Sequence, residues 1–293
     1  MTFSVPPSGQ CAQRSLCRPT LSRAEMGLLL GMAALLALAW FGPVLPASEH
    51  QHAFADQRGL WGIPCALDVL SNLPFAIAGL WGLVALRRVP HGMLDTASRA
   101  LATLFFAGLL CTAVGSTLYH WQPQNAGLLW DRLGMVLPFA GLLGLAAAGR
   151  VSARAGWATA GAVLLAGPLA VVWWAHSGNL LPWAVVQLGG MLVVLALACL
   201  PRRDGALALH LGAVMALYAL AKLFEGADHQ VFEATAQAVS GHSLKHVLAA
   251  GAAWPVLSAL VTLRNSRGAD RLSAPMSGQN RGHIVGALRR LRA

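Results

Sequence analysis

The residues able to do chemistry in this chain lie at the ends of apolar runs. Gly115-Ser116-Thr117-Leu118-Tyr119-His120 closes one run, Asp131 follows eleven residues after the histidine, and His242 and His246 open another run near the far end. Ser116 and His120 are four apart, as are His242 and His246, so on helices each pair shares a face. Three imidazoles suit zinc, and three protein ligands leave a fourth position for water, which separates catalytic from structural zinc. Zinc acidifies that water and polarises a carbonyl. A carboxylate that is near the metal but not a ligand then has the role of general base and proton donor, which is open to Asp131. Ser116, one turn before His120, is placed to donate a hydrogen bond to the water or to a developing oxyanion. Plainer readings stand beside these: Asp131 as an interfacial ion pair with Arg132, Ser116 bonded to its own helix, each histidine as an interfacial residue. The combination argues for function, because ionisable groups inside spans are costly and mark sites.

The elements that must position these residues are membrane helices. The 293 residues are 56% hydrophobic and 11% charged, with mean hydropathy +0.59, whereas a soluble domain carries about 25% charged residues. The formal charge of +10 sits in short arginine runs between apolar segments and in the C-terminal tail, the pattern of cytoplasmic loops rather than of a nucleic-acid surface. The five cysteines (Cys11, Cys17, Cys65, Cys111 and Cys199) are scattered and form neither a disulfide framework nor a thiolate zinc site. A span needs about 20 apolar residues, and eight runs qualify: 27–45, 66–86, 99–120, 128–148, 157–175, 182–200, 206–226 and 242–263. Each is expected to be a helix, because in lipid the backbone must satisfy its own hydrogen bonds. The expected fold is therefore an all-α polytopic membrane protein. Residues 1–26 read as a flexible cytoplasmic tail, and 27–45 as a retained anchor, with a cleaved signal peptide as the alternative reading of that run. Residues 264–293 read as a basic disordered cytoplasmic tail.

Eight spans sort the basic residues independently of the site. Arg14, Arg18, Arg23, Arg87, Arg88, Arg99, Arg150, Arg154, Arg202, Arg203 and the tail fall on one side, against Arg58, Arg132 and Lys245 on the other. Positive charge marks the cytoplasmic side, so both termini are expected there and His120, Asp131, His242 and His246 toward the outer leaflet. Arginine far outnumbers lysine, which occurs only as Lys222 and Lys245, the bias of a GC-rich bacterial genome. The expected location is thus a bacterial inner membrane. Lys222 and Glu225, three apart, read as an ion pair. Asp68 and Asn72 share a face and support either a metal ligand or an interhelical contact. His50 and His52 read as loop residues.

Gly115-Ser116-x-x-Tyr119-His120, Trp130-Asp131-Arg132-Leu133-x-Met135 and Gly241-His242-Ser243-Leu244-Lys245-His246 resemble the three signature blocks of the alkaline ceramidase family. That family lies within a superfamily with adiponectin/progestin-receptor-like proteins and GPI-lipid remodelling hydrolases. Asp68-Val69-Leu70-Ser71-Asn72-Leu73-Pro74-Phe75, with Asp56-Gln57-Arg58-x-Leu60-x-Gly62-Ile63-Pro64 before it, is similar to the first-helix block of its bacterial branch. The resemblance covers residues 53–263. It implies a seven-transmembrane-helix core within 46–263 plus one extra N-terminal transmembrane helix at 27–45. It also implies His120, His242 and His246 as zinc ligands, Asp131 as acid/base and Ser116 as the oxyanion or water-orienting partner. The implied reaction is zinc-dependent amide hydrolysis of a membrane lipid, ceramide or another N-acyl lipid, giving a fatty acid and a sphingoid base. The animal enzymes also hold calcium through acidic residues; here Cys65 stands nearest the helix-borne glutamate and only Asp56 remains upstream, so the resemblance does not carry calcium over.

Two other classes fit the composition. A non-catalytic seven-helix receptor or scaffold with structural zinc would close the coordination, with Asp131 as fourth ligand. A proton or metal-ion transporter would continue its polar residues through the inner halves of the helices, which here are nearly free of charge.

Overall fold

Prolines and short polar residues decide how the apolar runs fold. The computed structural model describes residues 20–273. Helix α1 spans Arg23–Phe41, α2 Ala66–Leu70, α3 Leu73–Arg87, α4 Thr96–Trp121, α5 Asn125–Arg150 and α6 Ala153–Ser177. There follow α7 (Leu181–Ala184), a π-helical turn (Val185–Gly189), α8 (Gly190–Ala198), α9 (Leu211–Gly226), α10 (Asp228–Ala234), α11 (Gly241–Gly251) and α12 (Trp254–Ser273). The described residues are all-helical apart from their connections, and seven segments are long and apolar enough to cross a membrane, as an integral membrane protein requires.

Among the boundaries that differ from expectation, three have a clear local cause or consequence. Helix α1 starts at Arg23 rather than 27 because Ser22 and Glu25 form a reciprocal capping box. The run 206–226 becomes helical only at Leu211, and its 16 residues measure about 24 Å, short of a full span; the stretch before it is irregular and buries Leu207 and Leu209. At the other end α12 continues past 263 to Ser273, since polar residues end an apolar run without ending a helix. The rest of the two expected tails, 1–19 and 274–293, lies outside the described residues.

Proline breaks the rods where polar groups can take over. Pro74 cannot donate to the turn before it, so 66–87 divides at Ser71 and Asn72. At this break the Asn72 amide turns to the Val69 carbonyl at 3.3 Å, and the Asp68 carbonyl it leaves accepts instead from Ser71 Oγ at 2.8 Å and Asn72 Nδ2 at 3.0 Å. Pro138 likewise leaves the Gly134 carbonyl without a helical donor, and Thr112 Oγ1 of α4 donates to it at 3.1 Å. The α4–α5 pair is very close: a Cβ on Gly115 would lie 2.5 Å from the Trp130 carbonyl oxygen. Pro255 marks the break between α11 and α12.

Helix α1 sits at the periphery, with only 6% of its most apolar window buried. It is fastened near its ends. Glu25 accepts from Ser152 Oγ at 2.6 Å and from Arg154 at 2.8 Å, while beyond its far end the Leu45 carbonyl accepts from the Leu180 amide at 2.7 Å.

Candidate metal centre

His120 occupies the last turn of α4, and His242 and His246 the first turns of α11. The start of α11 is tightly specified. Ser240 caps it by accepting from the Ser243 amide at 3.0 Å, and a Cβ on Gly241 would lie 2.3 Å from the Phe224 carbonyl oxygen. Asp228 accepts from the His242 amide at 2.7 Å through one oxygen and from the Ala55 amide at 2.9 Å through the other. The result is three buried imidazoles, 1%, 7% and 3% exposed, whose ligand atoms lie within 4.8 Å of one another. This group could hold a metal ion.

One nitrogen pair has the spacing that two ligands of a single metal ion adopt. Tetrahedral bonds of about 2.0–2.1 Å place two ligand nitrogens about 3.3–3.4 Å apart, and His120 Nε2 and His242 Nε2 are 3.2 Å apart. Ser71 Oγ gives its one proton to the Asp68 carbonyl, so at 2.7 Å from His246 Nδ1 it accepts. That bond puts the proton on Nδ1 and leaves the Nε2 lone pair for a metal, the usual arrangement around ligating histidines. His120 Nδ1 has no partner among the described residues, so no equivalent bond orients that ring.

A cavity of about 700 Å³ opens beside the triad, lined by His242, Asp131, Arg132, Lys245, Glu225 and Phe54 among others, and its size suits a small-molecule site. Ser116 is buried beside Asp131, where α4 and α5 pack so closely that a Cβ on Gly115 would lie 3.4 Å from the Asp131 Cα. Asp131 is not part of the metal-ligand group. Phe54 covers the cluster, its ring centroid 4.7 Å from His120 and 4.5 Å from His242. Its segment is held by Asp228 and by Tyr119, whose hydroxyl donates to the Gln51 carbonyl at 3.0 Å and lies 2.8 Å from His52 Nδ1.

The chain matches no protein-family model and no curated protein. All five expected site residues come to one end of the bundle. Lys222 and Glu225 do pair, and Lys245 joins them at 3.5 Å. The Lys245 ammonium also lies 2.9 Å from His242 Nε2, so it takes the nitrogen that faces His120. Arg132 forms no ion pair with Asp131 and instead stacks on Trp174.

Asp68 joins helices rather than supporting a histidine: its Oδ1 accepts from Ser243 Oγ at 2.7 Å and Ser240 Oγ at 3.2 Å. Asn72 serves the local break. Ser71 is an orienting residue to which sequence reasoning gave no role, although it stands in the block Asp68–Phe75, three residues before Pro74. Asp56 has both oxygens on Arg58, at 2.8 and 2.7 Å; those bonds, opposed in part by burial, hold its carboxyl below the usual carboxylate range.

Proposed function

We propose that this chain is an intramembrane zinc-dependent hydrolase of lipid amides, of the alkaline ceramidase kind, releasing a fatty acid and a sphingoid base from ceramide-type lipids. The observation that carries the reading is the triad with Asp131 outside it. Three histidines gather their ligand atoms while the nearby carboxylate stays free on the same cavity, which suits an open catalytic site better than the closed coordination of a structural one. His120, His242 and His246 would hold the ion, and the chemistry it supplies is Lewis-acid polarisation of a carbonyl and acidification of a water molecule.

The chain's own groups do the rest. Asp131 accepts the proton from the attacking water and delivers it to the leaving amine. Ser116, buried one turn before His120, offers its donor to the developing oxyanion. Ser71 holds His246 in the tautomer that ligates, and Phe54 keeps bulk water from the imidazoles. The arginine distribution supports cytoplasmic termini and a site toward the outer leaflet of a bacterial inner membrane, where a lipid amide could enter sideways between helices.

The test is to purify the protein, measure bound zinc, and follow fatty-acid release from ceramides and related N-acyl lipids with Asp131→Ala beside wild type. Zinc at one per chain is expected in both, with release falling at least a hundredfold in the variant. Undiminished release by Asp131→Ala removes the proposed base. Stoichiometric zinc after a combined His242→Ala and His246→Ala change removes the metal site. Zinc binding without release of any acyl chain leaves the receptor or scaffold reading, with zinc in a structural role.

A further inference from the structure

The cavity wall supplied by α5, α7 and the segment after α7 carries a charge that the hydrolytic scheme does not use. Arg132 is 8% exposed, and its guanidinium lies over the Trp174 ring, 3.8 Å from the centroid. Among the described residues it forms no ion pair, and its Nη1 is enclosed without a hydrogen-bond partner. Of the other charges around the cavity, Glu225 pairs with Lys222 and Lys245, and Asp228 accepts two backbone amides.

The same wall holds the π-helical turn Val185–Gly189, from which Gln187 lines the cavity. Such turns are rare and occur mostly at functional sites. A guanidinium without a counter-ion among membrane helices is costly and marks function. Stacked on an aromatic ring, it presents a planar fork of donors that matches a carboxylate or a phosphate.

We propose that Arg132, assisted by Gln187, is a subsite for the anionic head of a lipid. The site then prefers N-acyl lipids bearing a carboxylate or phosphate near the amide over neutral ones. That such lipids are hydrolysed rests on the hydrolase reading above; the binding preference does not.

The experiment compares N-oleoylglycine with N-oleoylethanolamine, which differ at the head by one carboxylate, as ligands of the full-length protein in nonionic detergent, by calorimetric titration. Wild type is expected to bind the carboxylate at least tenfold more tightly. Arg132→Gln is expected to bring that ratio below twofold while leaving N-oleoylethanolamine affinity unchanged, which also shows that the variant folds. Equal binding by wild type, or an undiminished preference in Arg132→Gln, overturns the subsite. If Arg132→Gln binds neither lipid, Arg132→Lys decides, since it keeps the charge: a remaining preference supports the proposal and equal affinities overturn it. Displacement of N-oleoylglycine by millimolar inorganic phosphate at constant ionic strength would reassign the site to a soluble anion and overturn a lipid head. His246→Ala, inactive on the hydrolase reading, should keep the same preference. A preserved preference without hydrolysis in wild type therefore overturns the hydrolase alone, and hydrolysis without preference overturns the subsite alone.

Discussion

Replacing Ser71 with alanine removes one hydroxyl that makes two bonds, at 2.8 Å to the Asp68 carbonyl and at 2.7 Å to His246 Nδ1. The first loss is small, because Asn72 Nδ2 still donates to the same carbonyl at 3.0 Å. The second is not, because it leaves a buried imidazole N–H without an acceptor, which costs about 1–3 kcal/mol. The ring escapes that cost by moving its proton to Nε2, the atom a metal needs, so the penalty falls on metal binding. Zinc affinity is expected to drop about 10- to 100-fold, as for other groups that orient ligating histidines, while the metal-free protein melts within about 2 °C of wild type. The assay is competition with a chelator of known zinc affinity, run beside Ser71→Thr, which retains the hydroxyl and should bind nearly as wild type does. Unchanged affinity in Ser71→Ala, or an equal loss in Ser71→Thr, would refute the orienting role.

Other outcomes follow from neighbouring contacts. Gly115→Ala sets a methyl 2.5 Å from the Trp130 carbonyl oxygen, an overpacking of about 1–3 kcal/mol; a lowered melting temperature and a larger fall in amide hydrolysis are expected, since Ser116 and Asp131 move apart. Lys245→Met removes the ammonium 2.9 Å from His242 Nε2, and the same chelator competition should show zinc bound about tenfold more tightly, with the like charge gone. Arg58→Gln acts through Asp56, whose folded pKa is lowered by its bonds to Arg58. That contribution is present above the ordinary carboxylate pKa of about 3.9 and is lost as pH falls through the lower folded value. The melting-temperature gap between wild type and Arg58→Gln should therefore be full at neutral pH and close in acid.

The triad was legible because its information is local: two histidines four apart, a third one turn after Ser116, and residue types with few other reasons to sit in a span. The fold class was legible for a similar reason, since a run of about 20 apolar residues has one stable form in lipid. What escaped depends on contacts between distant segments. Ser71 meets His246 across 175 positions, and nothing near it in sequence distinguishes a hydroxyl that orients a ring from one that only caps a break. Phe54 lies in an irregular segment without periodicity, so its place over the imidazoles had no sequence signal. Hydropathy also overstated α9, because Leu207 and Leu209 are buried without being helical, and an apolar count does not separate the two. Pro74, Pro138 and Pro255 were visible breaks, but which side chains would satisfy the freed carbonyls was not.

The segment carrying Phe54 runs between α1 and α2, and it is pinned from within as well as at its ends. Asp228 holds Ala55 while it also holds His242, and Tyr119, which bonds Gln51, immediately precedes His120. The cover and the imidazoles below it therefore share their fastenings. Lifting Phe54 strains the helix ends that bear the histidines, so the rate at which water or a head group reaches the triad from that side is coupled to the order of the triad itself. On the proposed hydrolase reading, turnover is then better served by entry and departure through the bundle wall, with the cover left closed across successive cycles.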